Sequence, residues 1–457
     1  MKLETIKSII LVLLISLSLL CTFAIWNYEP HYESADGDRA TEAKLAGHEE
    51  TKKSIIQPSQ LLFHEGDDVL GLANKEEEDM LYKSFLEDWS FYDFKMVDFM
   101  DKSEVMPDNY VEIIFPTAIP SSLIGDLFTI DDSMVYNNTS FSRMYITMDV
   151  NQTKNQIVFE NDGSGIDISA NIQNIVQVVD YLSESKVNNK FQSYITYQNV
   201  NDKPIYLPKD TKIVAKQFRY TTIDPDSQSL QNILFSNPSS VEKTYRMGSG
   251  EEVFTDGNRA MVVSGLLMDY ENFITSEKNE DKRSRDSENK DGELITQTLN
   301  FINSHSGWTA EEEGISFQLF DLQYNADTNR SVFRLTYHNY PIFSPKGLAN
   351  ISVTMRDQSV SEYVRPLVNL TNSYEIDENA GDDVYSSEQL INALENSNQY
   401  NSILDIALGY HLEESTGGQV YDLKPMWHIK TYNGWEEFNP VEKNVPGGGY
   451  NSAMGTN

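Results

Sequence analysis

The chain has 457 residues, of which 39% are hydrophobic, and its 70 acidic and 35 basic residues give a formal net charge of −35. This length and apolar content are sufficient for roughly two to four domains with buried cores, which excludes a disordered tail. The negative charge repels phosphate backbones and therefore excludes nucleic acid as a partner.

The first predicted element is an uncharged run from Ser8 to Trp26 that contains no glycine or proline. As a helix it would extend about 28 Å, close to the roughly 30 Å hydrocarbon layer of a bilayer. Leu20 in front of Cys21 disfavours a lipoprotein signal, whereas cleavage after Ala24 remains an alternative. Because the apolar run continues past that point, we interpret residues 8–27 as an uncleaved transmembrane anchor.

Charges beside the anchor predict its orientation. Lys2 and Lys7 precede the run and acidic residues follow it, so residues 1–7 are predicted to be a cytoplasmic tail. The bulk of the chain is then extracytoplasmic. No second uncharged run of spanning length occurs, which predicts a single-pass protein of the cell membrane. Cys21 is the only cysteine, so the exported part has no disulfide and no thiolate metal site.

Small, weakly polar residues lie on one face of the predicted anchor. Ser18 and Thr22 are spaced i, i+4, and Cys21 lies beside them. Small side chains and hydroxyls favour the association of helices in lipid. These three residues are a candidate contact with a membrane partner, and their ordinary tolerance in membrane spans is the alternative.

The remaining pattern predicts an α+β fold, with three extracytoplasmic domains of antiparallel strands and packed helices. The polar stretch 28–54 is interpreted as a tether. In the N-terminal domain, 55–165, Asn74 is expected to cap a helix that has acidic residues in its first turn. The apolar stripe of this helix is predicted to be Met80, Leu81, Phe85 and Trp89.

The rest of the chain is divided by composition and by a repeated order of elements. The predicted segments are a central domain, 166–275, a charged linker, 276–292, a C-terminal domain, 293–440, and a disordered tail, 441–457. Pro204–Lys209 resembles Pro341–Lys346 at the same place in both domains, which indicates a duplicated module. Ser386 and Gln389 predict a capping box at a helix start in the C-terminal domain.

The sequence contains none of the common motifs for catalysis or metal binding that we searched for, namely G-x-S-x-G, the P-loop and H-E-x-x-H. Ser183–Lys186 matches S-x-x-K, but the K-T-G strand that such enzymes need is replaced by Lys243–Tyr245. Asn161–Asp167 lacks the final glutamate of a calcium loop and is interpreted as a turn between domains. We assign no catalytic, cofactor-binding or metal-binding residue. The histidines interpreted as ordinary strand residues are His338, His411 and His428.

Both ends of the chain resemble one known family. The segment ETIKSIILVLLISLSLLCTFAIWNYEPHYE near the start and PMWHIKTYNGWEEFN near the end are similar to the YycH family of low-GC Gram-positive bacteria. The pattern YxLKPMWxI is also similar to the related YycI proteins. The resemblance implies a non-enzymatic, membrane-anchored regulator that contacts a WalK-like sensor histidine kinase and a YycI-like partner, within an essential two-component system that controls the cell wall.

Two other functions stay open at this point. The first is an extracytoplasmic module of the cell envelope that binds or senses a ligand. It would require convergent polar residues in an apolar pocket, which the sequence does not locate. The second is a cell-wall enzyme, for which we can nominate neither paired acids nor a nucleophile.

Overall fold

The residues that the computed structural model describes lie within Glu42–Asn457. They are 45, 47–97, 107–131, 139–147, 155–163, 166–173, 181, 184, 188–201, 203–226, 228–274, 290–310, 312–325, 327–356, 358–375, 384–396, 402–415 and 419–438. The predicted anchor, both predicted tails, most of the tether and most of the linker lie outside these residues. Within the described ranges, no helix is both long and apolar enough to cross a membrane.

Helices are few and mostly short in the described part of the chain. They are α1 (Lys52–Ile55), α2 (Lys75–Asp88), α3 (Ile124–Leu127), α4 (Gln228–Leu234), α5 (Lys290–Asn303) and α6 (Ser387–Glu395). Single 3₁₀ turns lie at Ser121–Leu123 and Pro238–Ser240. The α6 capping box forms as predicted, since Ser386 Oγ accepts from the Gln389 N–H and the Gln389 side chain accepts from the Ser386 N–H.

The predicted cap of α2 is confirmed, because Asn74 Oδ1 accepts from the Glu76 N–H at 2.8 Å. Leu81 and Phe85 are buried, and Trp89 is buried immediately after the helix. Met80 was predicted in the same stripe but is 61% exposed. Adjacent helical positions are about 100° apart, so Met80 is turned away from the face that carries Leu81.

The first sheet has ten strands in the order β10-β9-β2-β1-β4-β6-β7-β8-β3-β5. All neighbours are antiparallel except β3 and β5. β1 (sequence QLLFHE) is buried at its three apolar residues and also at His64. The strands are β1 (Gln60–Glu65), β2 (Asp68–Leu72), β3 (Ser90–Val97), β4 (Asn109–Pro120), β5 (Thr129–Ile130), β6 (Ser140–Thr147), β7 (Gln156–Asn161), β8 (Asp167–Ile172), β9 (Phe191–Gln198) and β10 (Pro204–Pro208).

The second sheet has the order β12-β13-β14-β15-β20-β19-β17-β18-β22-β23-β11-β21, with β16 beside β17 and β24 beside β23. The pair β18 and β22 is parallel. The strands are β11 (Lys216–Thr222), β12 (Glu242–Tyr245), β13 (Glu252–Thr255), β14 (Arg259–Ser264), β15 (Leu267–Asn272), β16 (Ile315–Tyr324), β17 (Asn329–Tyr337), β18 (Tyr340–Phe343), β19 (Asn350–Arg356), β20 (Ser359–Pro366), β21 (Val368–Glu375), β22 (Asp405–Glu414), β23 (Val420–Thr431) and β24 (Gly434–Glu437).

One hydrophobic cluster contains buried side chains from both sheets, such as Phe159 of the first and Phe333 of the second. Backbone and side-chain hydrogen bonds also join the sheets. Val200 N–H donates to the Ile403 carbonyl at 3.1 Å. Asn199 Nδ2 donates to the carbonyl of the next residue, Leu404, at 3.0 Å. The end of the first sheet is therefore fixed against the second sheet.

Sheet membership divides the chain at a different place from the predicted domain boundaries. β8, β9 and β10 were assigned to the central domain, yet they complete the first sheet, whereas β11 to β15 belong to the second. Asn161–Asp167, predicted as a turn between domains, joins two paired strands of one sheet. The Asn161 N–H there donates to Asp167 Oδ1 at 2.7 Å.

The two strings that suggested a duplication have different strand partners. β10, which contains Pro204, is the end strand of the first sheet and pairs with β9. β18, which contains Pro341, lies inside the second sheet between β17 and β22. The mixed α+β class is confirmed, but the duplicated module is not.

Candidate functional site

A cleft separates the end strand of the first sheet from the second sheet. Tyr206 and Pro208 of β10 lie on one wall, and Tyr340 and Pro341 at the start of β18 lie on the other. The empty space is about 920 Å³, part of which is open solvent. The two similar proline-containing strings thus line opposite walls of one cleft. Its aromatic lining is completed by Phe115, Tyr194, Phe320, Trp427 and Trp435.

Two groups of opposite charge, Arg143 and Asp405, lie in this cleft. Arg143 Nη2 donates to the Pro204 carbonyl at 2.6 Å, which fixes the guanidinium beside β10. Burial raises the pKa of Asp405, and the Ile406 N–H, 2.8 Å from Oδ1, opposes that shift. The charges of Lys430 and Arg143 oppose it as well. The cleft therefore combines aromatic walls with a few converging polar groups, as small-molecule sites do.

A buried ionic network in the first sheet holds Arg143 in place. Glu112 is 1% exposed, and it accepts from Arg143 Nη1. His64 Nε2 lies 2.8 Å from the other oxygen of Glu112, and the His64 ring stacks on Tyr110 at 4.1 Å. Burial would raise the pKa of Glu112, but the His64 hydrogen bond and the Arg143 charge outweigh it and lower the pKa. The carboxylate is therefore ionised at neutral pH.

A second polar cluster lies on the β22–β23–β24 strands. His411, His428 and Glu437 come from three successive strands, and a potential ligand atom of each lies within 4.8 Å of the others. His428 is 1% exposed and stacks on Phe343 at 3.7 Å. Burial, Arg334 and His411 lower the pKa of His428 to about 3, so the ring is neutral at pH 7.

Sequence reasoning did not bring these groups together. His411 and His428 were correctly placed in strands, but Glu437 was not considered, and the ionic network around Glu112 was missed. His338 was predicted in a strand, yet His338 and Asn339 form the two-residue turn between β17 and β18, with φ of 46° and 62°. Positive φ at both central positions is typical of a tight hairpin.

Other predicted sites lie partly or wholly outside the described residues. These include the candidate membrane contact, Ser18, Cys21 and Thr22, and most of the S-x-x-K motif at Ser183–Lys186. Asp162 of the incomplete calcium loop is paired with Lys203 at 3.3 Å. No catalytic arrangement was predicted, and we assign none to the described residues.

Comparisons with known proteins cover almost the whole chain. The model of the YycH protein N-terminal domain matches residues 4–195, and that of the C-terminal domain matches residues 202–444. The two-component system WalR/WalK regulatory protein YycH of Bacillus subtilis (strain 168) is 21% identical, over 97% of this chain and 98% of that protein. The crystal structure of YycH from Bacillus subtilis superposes with a TM-score of 0.65 and 17% identity, over 86% of this chain and 98% of that one.

These matches confirm the resemblance seen at the two ends of the sequence. The structural match extends it to the fold of the described residues, because it covers nearly all of the solved chain. The two family models also meet between residues 195 and 202, where the chain passes from β9 to β10 near the end of the first sheet. The chain belongs to the YycH family.

Proposed function

We propose that this protein is a non-enzymatic regulator of a WalR/WalK-type two-component system, and that it acts on the sensor histidine kinase together with a YycI-like partner. The observation that carries the proposal is the end-to-end match to a relative named as a WalR/WalK regulatory protein. The cleft supports a non-enzymatic role, since Arg143 in it is held in place by Glu112 and the Pro204 carbonyl.

Crosslinking of the full-length protein in its own membrane, followed by identification of the products, tests the proposal. Products that contain the kinase and the YycI-like protein, and an altered level of kinase-dependent transcripts when this protein is absent, are the expected results. Crosslinks to neither protein together with unchanged transcripts would contradict the proposal.

The proposed topology places residues 8–27 in the membrane, residues 1–7 in the cytoplasm and the sheets outside. The uncharged run and the lysines that precede it support this arrangement. Protease added to intact protoplasts should digest the two sheets and leave a small fragment that contains the anchor. Full protection of the sheets in intact protoplasts, with digestion after lysis, would reverse the orientation.

The membrane contact with the kinase is proposed to involve Ser18, Cys21 and Thr22. Replacing Ser18 and Thr22 together by leucine should weaken crosslinking to the kinase, because large side chains separate the helix backbones and remove polar contacts of about 1–2 kcal/mol each. Ser16→Leu is the matched control, since Ser16 lies on the opposite face of the same predicted helix. Equal crosslinking in the double variant and in this control would move the contact to the exported sheets.

A ligand-sensing role is the second candidate, and the cleft itself favours it. Its walls are mainly aromatic, and Arg143 and Asp405 supply both charges, which is the combination that small-molecule sites use. Trp435→Ala should change kinase-dependent transcription if the cleft is used. Tyr432→Ala is the control, since Tyr432 lies in the same hairpin but is 73% exposed and away from the cleft lining. Wild-type output from Trp435→Ala at normal protein level would argue against this role.

A further inference from the structure

Three neighbouring strands bring two imidazoles and one carboxylate to the same place. His428 on β23 and Glu437 on β24 are directly opposed in the antiparallel ladder, so their side chains share one face. His411 reaches the same place from β22, where its Nδ1 lies 2.5 Å from Glu437 Oε1. Potential ligand atoms of all three lie within 4.8 Å of one another.

His428 is the member of this group whose buried ring nitrogens are not satisfied by protein contacts. It is 1% exposed, and among the described residues neither of its ring nitrogens makes a hydrogen bond of good geometry. The Met426 backbone lies near enough to act weakly on the ring, and its effect on the pKa of His428 is the smallest of those that act there. Buried polar atoms without a partner are rare in native proteins, because each loses its bonds to water without replacement. The stacked ring of Phe343 satisfies neither nitrogen. A ligand bound between His428 and its two polar neighbours would supply the missing interaction.

We propose that His411, His428 and Glu437 bind a zinc ion, with water as the fourth ligand. Two histidines and one glutamate are a donor set that zinc uses, whereas calcium and magnesium prefer oxygen alone. Ligand atoms around tetrahedral zinc lie about 3.3 Å apart, given bonds of about 2.0–2.1 Å. Binding therefore requires the His411–Glu437 contact to open slightly and the more distant atoms to close.

The electrostatic surroundings include opposing positive charges, of which Arg334 acts most directly on His428. The Arg334 guanidinium lies 4.1 Å from the centroid of the Phe343 ring, and Phe343 in turn stacks on His428. Its positive charge disfavours a second cation nearby. The carboxylate of Glu437 opposes the effect of this positive charge. The chain as a whole also has a net charge of −35, which raises the local concentration of cations.

The zinc ion would connect this site to the cleft. Trp435 lies two residues before Glu437 on β24, lines the cleft and packs near Phe343 with ring centroids 5.3 Å apart. β24 is a four-residue end strand that pairs only with β23 among the described strands. A bond from Glu437 to a metal shared with β22 and β23 would therefore restrict the position of Trp435.

Equilibrium dialysis of the untagged full-length protein against Zn²⁺, with metal analysis, tests the proposal. The wild type should retain a single zinc ion per chain and should not retain Mg²⁺. His411→Gln and Glu437→Gln should each weaken binding by more than about 100-fold, beyond the 10–100-fold that loss of a supporting group costs. Both residues are partly exposed, which limits the effect on folding. Co²⁺ should give the visible absorption of a four-coordinate site in the wild type and lose it in both variants.

His338→Gln is the matched control, because His338 Nδ1 forms a similar contact of 2.6 Å with Glu76 outside the cluster. It should bind zinc as the wild type does. A wild type that retains no zinc would overturn the proposal. So would His411→Gln and Glu437→Gln variants that bind within about threefold of the wild type, since the retained metal would then be an adventitious ion only.

Discussion

Replacing Glu112 by glutamine removes the negative charge from the buried network beneath the cleft. Glu112 is 1% exposed and accepts from both His64 and Arg143, whose side chain is 12% exposed. Glutamine has almost the same shape but leaves the guanidinium without a counter-ion. Breaking a buried pair in this way costs about 3–5 kcal/mol. With an unfolding entropy of about 2.1 cal/mol/K per residue over roughly 400 residues, the melting temperature should fall by about 4–6 °C.

Thermal unfolding of the full-length protein, followed by circular dichroism, measures this change. The lowered pKa of Glu112 means that its contribution is complete above the unfolded carboxyl value of about 4.3 and is lost as the pH falls towards the folded value. The difference between wild type and variant should therefore shrink in acid. Asp79→Asn is the control, because Asp79 pairs with Lys83, which is 55% exposed, and such surface pairs contribute about 0.5 kcal/mol.

The double variant Glu112→Gln with Arg143→Met separates the unpaired charge from other effects of the substitution. Removing both charges should recover much of the lost stability, because a neutral pair carries no uncompensated charge. A cost below about 1 kcal/mol for Glu112→Gln alone, or no recovery in the double variant, would refute the assignment of this network as a buried ionic pair.

Two further predictions concern the second sheet. Burial and the charge of Arg365 lower the pKa of His305 in the folded protein to about 3. As the pH falls below about 6.5, this histidine is protonated in the unfolded chain but stays neutral in the folded one, so the free energy of unfolding decreases. His305→Gln should reduce the slope of unfolding free energy against pH by about 1.4 kcal/mol per pH unit in that range, and an unchanged slope would contradict the assignment. In Gly409→Ala the new Cβ would lie 2.4 Å from the Pro341 carbonyl oxygen, so chemical denaturation should show a loss of about 1–3 kcal/mol. Wild-type stability in that variant would show that β18 shifts freely.

Several features of this protein follow from short stretches of sequence. The caps at Asn74 and Ser386 are local, because each side chain bonds to a backbone N–H two or three residues away. The mixed α+β class follows from apolar periodicity, which changes between helical and extended spacing along the chain. His411 and His428 were placed in strands for the same reason. The family resemblance was visible at both ends and is confirmed by the comparisons.

Sheet membership, in contrast, was decided by distant pairing. β11 lies between β23 and β21 in the second sheet, although roughly 150–200 residues separate β11 from these neighbours along the chain. The alternation of apolar and polar residues in a strand shows which side chains face a core. It does not determine which other strand forms hydrogen bonds with its backbone N–H and C=O groups. The predicted domain boundary near residue 165 was therefore set by a turn signal, whereas β8, β9 and β10 beyond it still pair within the first sheet.

The polar clusters were also products of the tertiary structure. Glu112, His64 and Arg143 come from three neighbouring strands, and His411, His428 and Glu437 come from three others. None of these sets has a fixed spacing in the sequence, because the register between strands determines which side chains meet. Composition and periodicity were sufficient to establish an acidic α+β chain with a predicted anchor. The position of each buried charge depended on long-range strand pairing, which brings distant residues within a few ångströms.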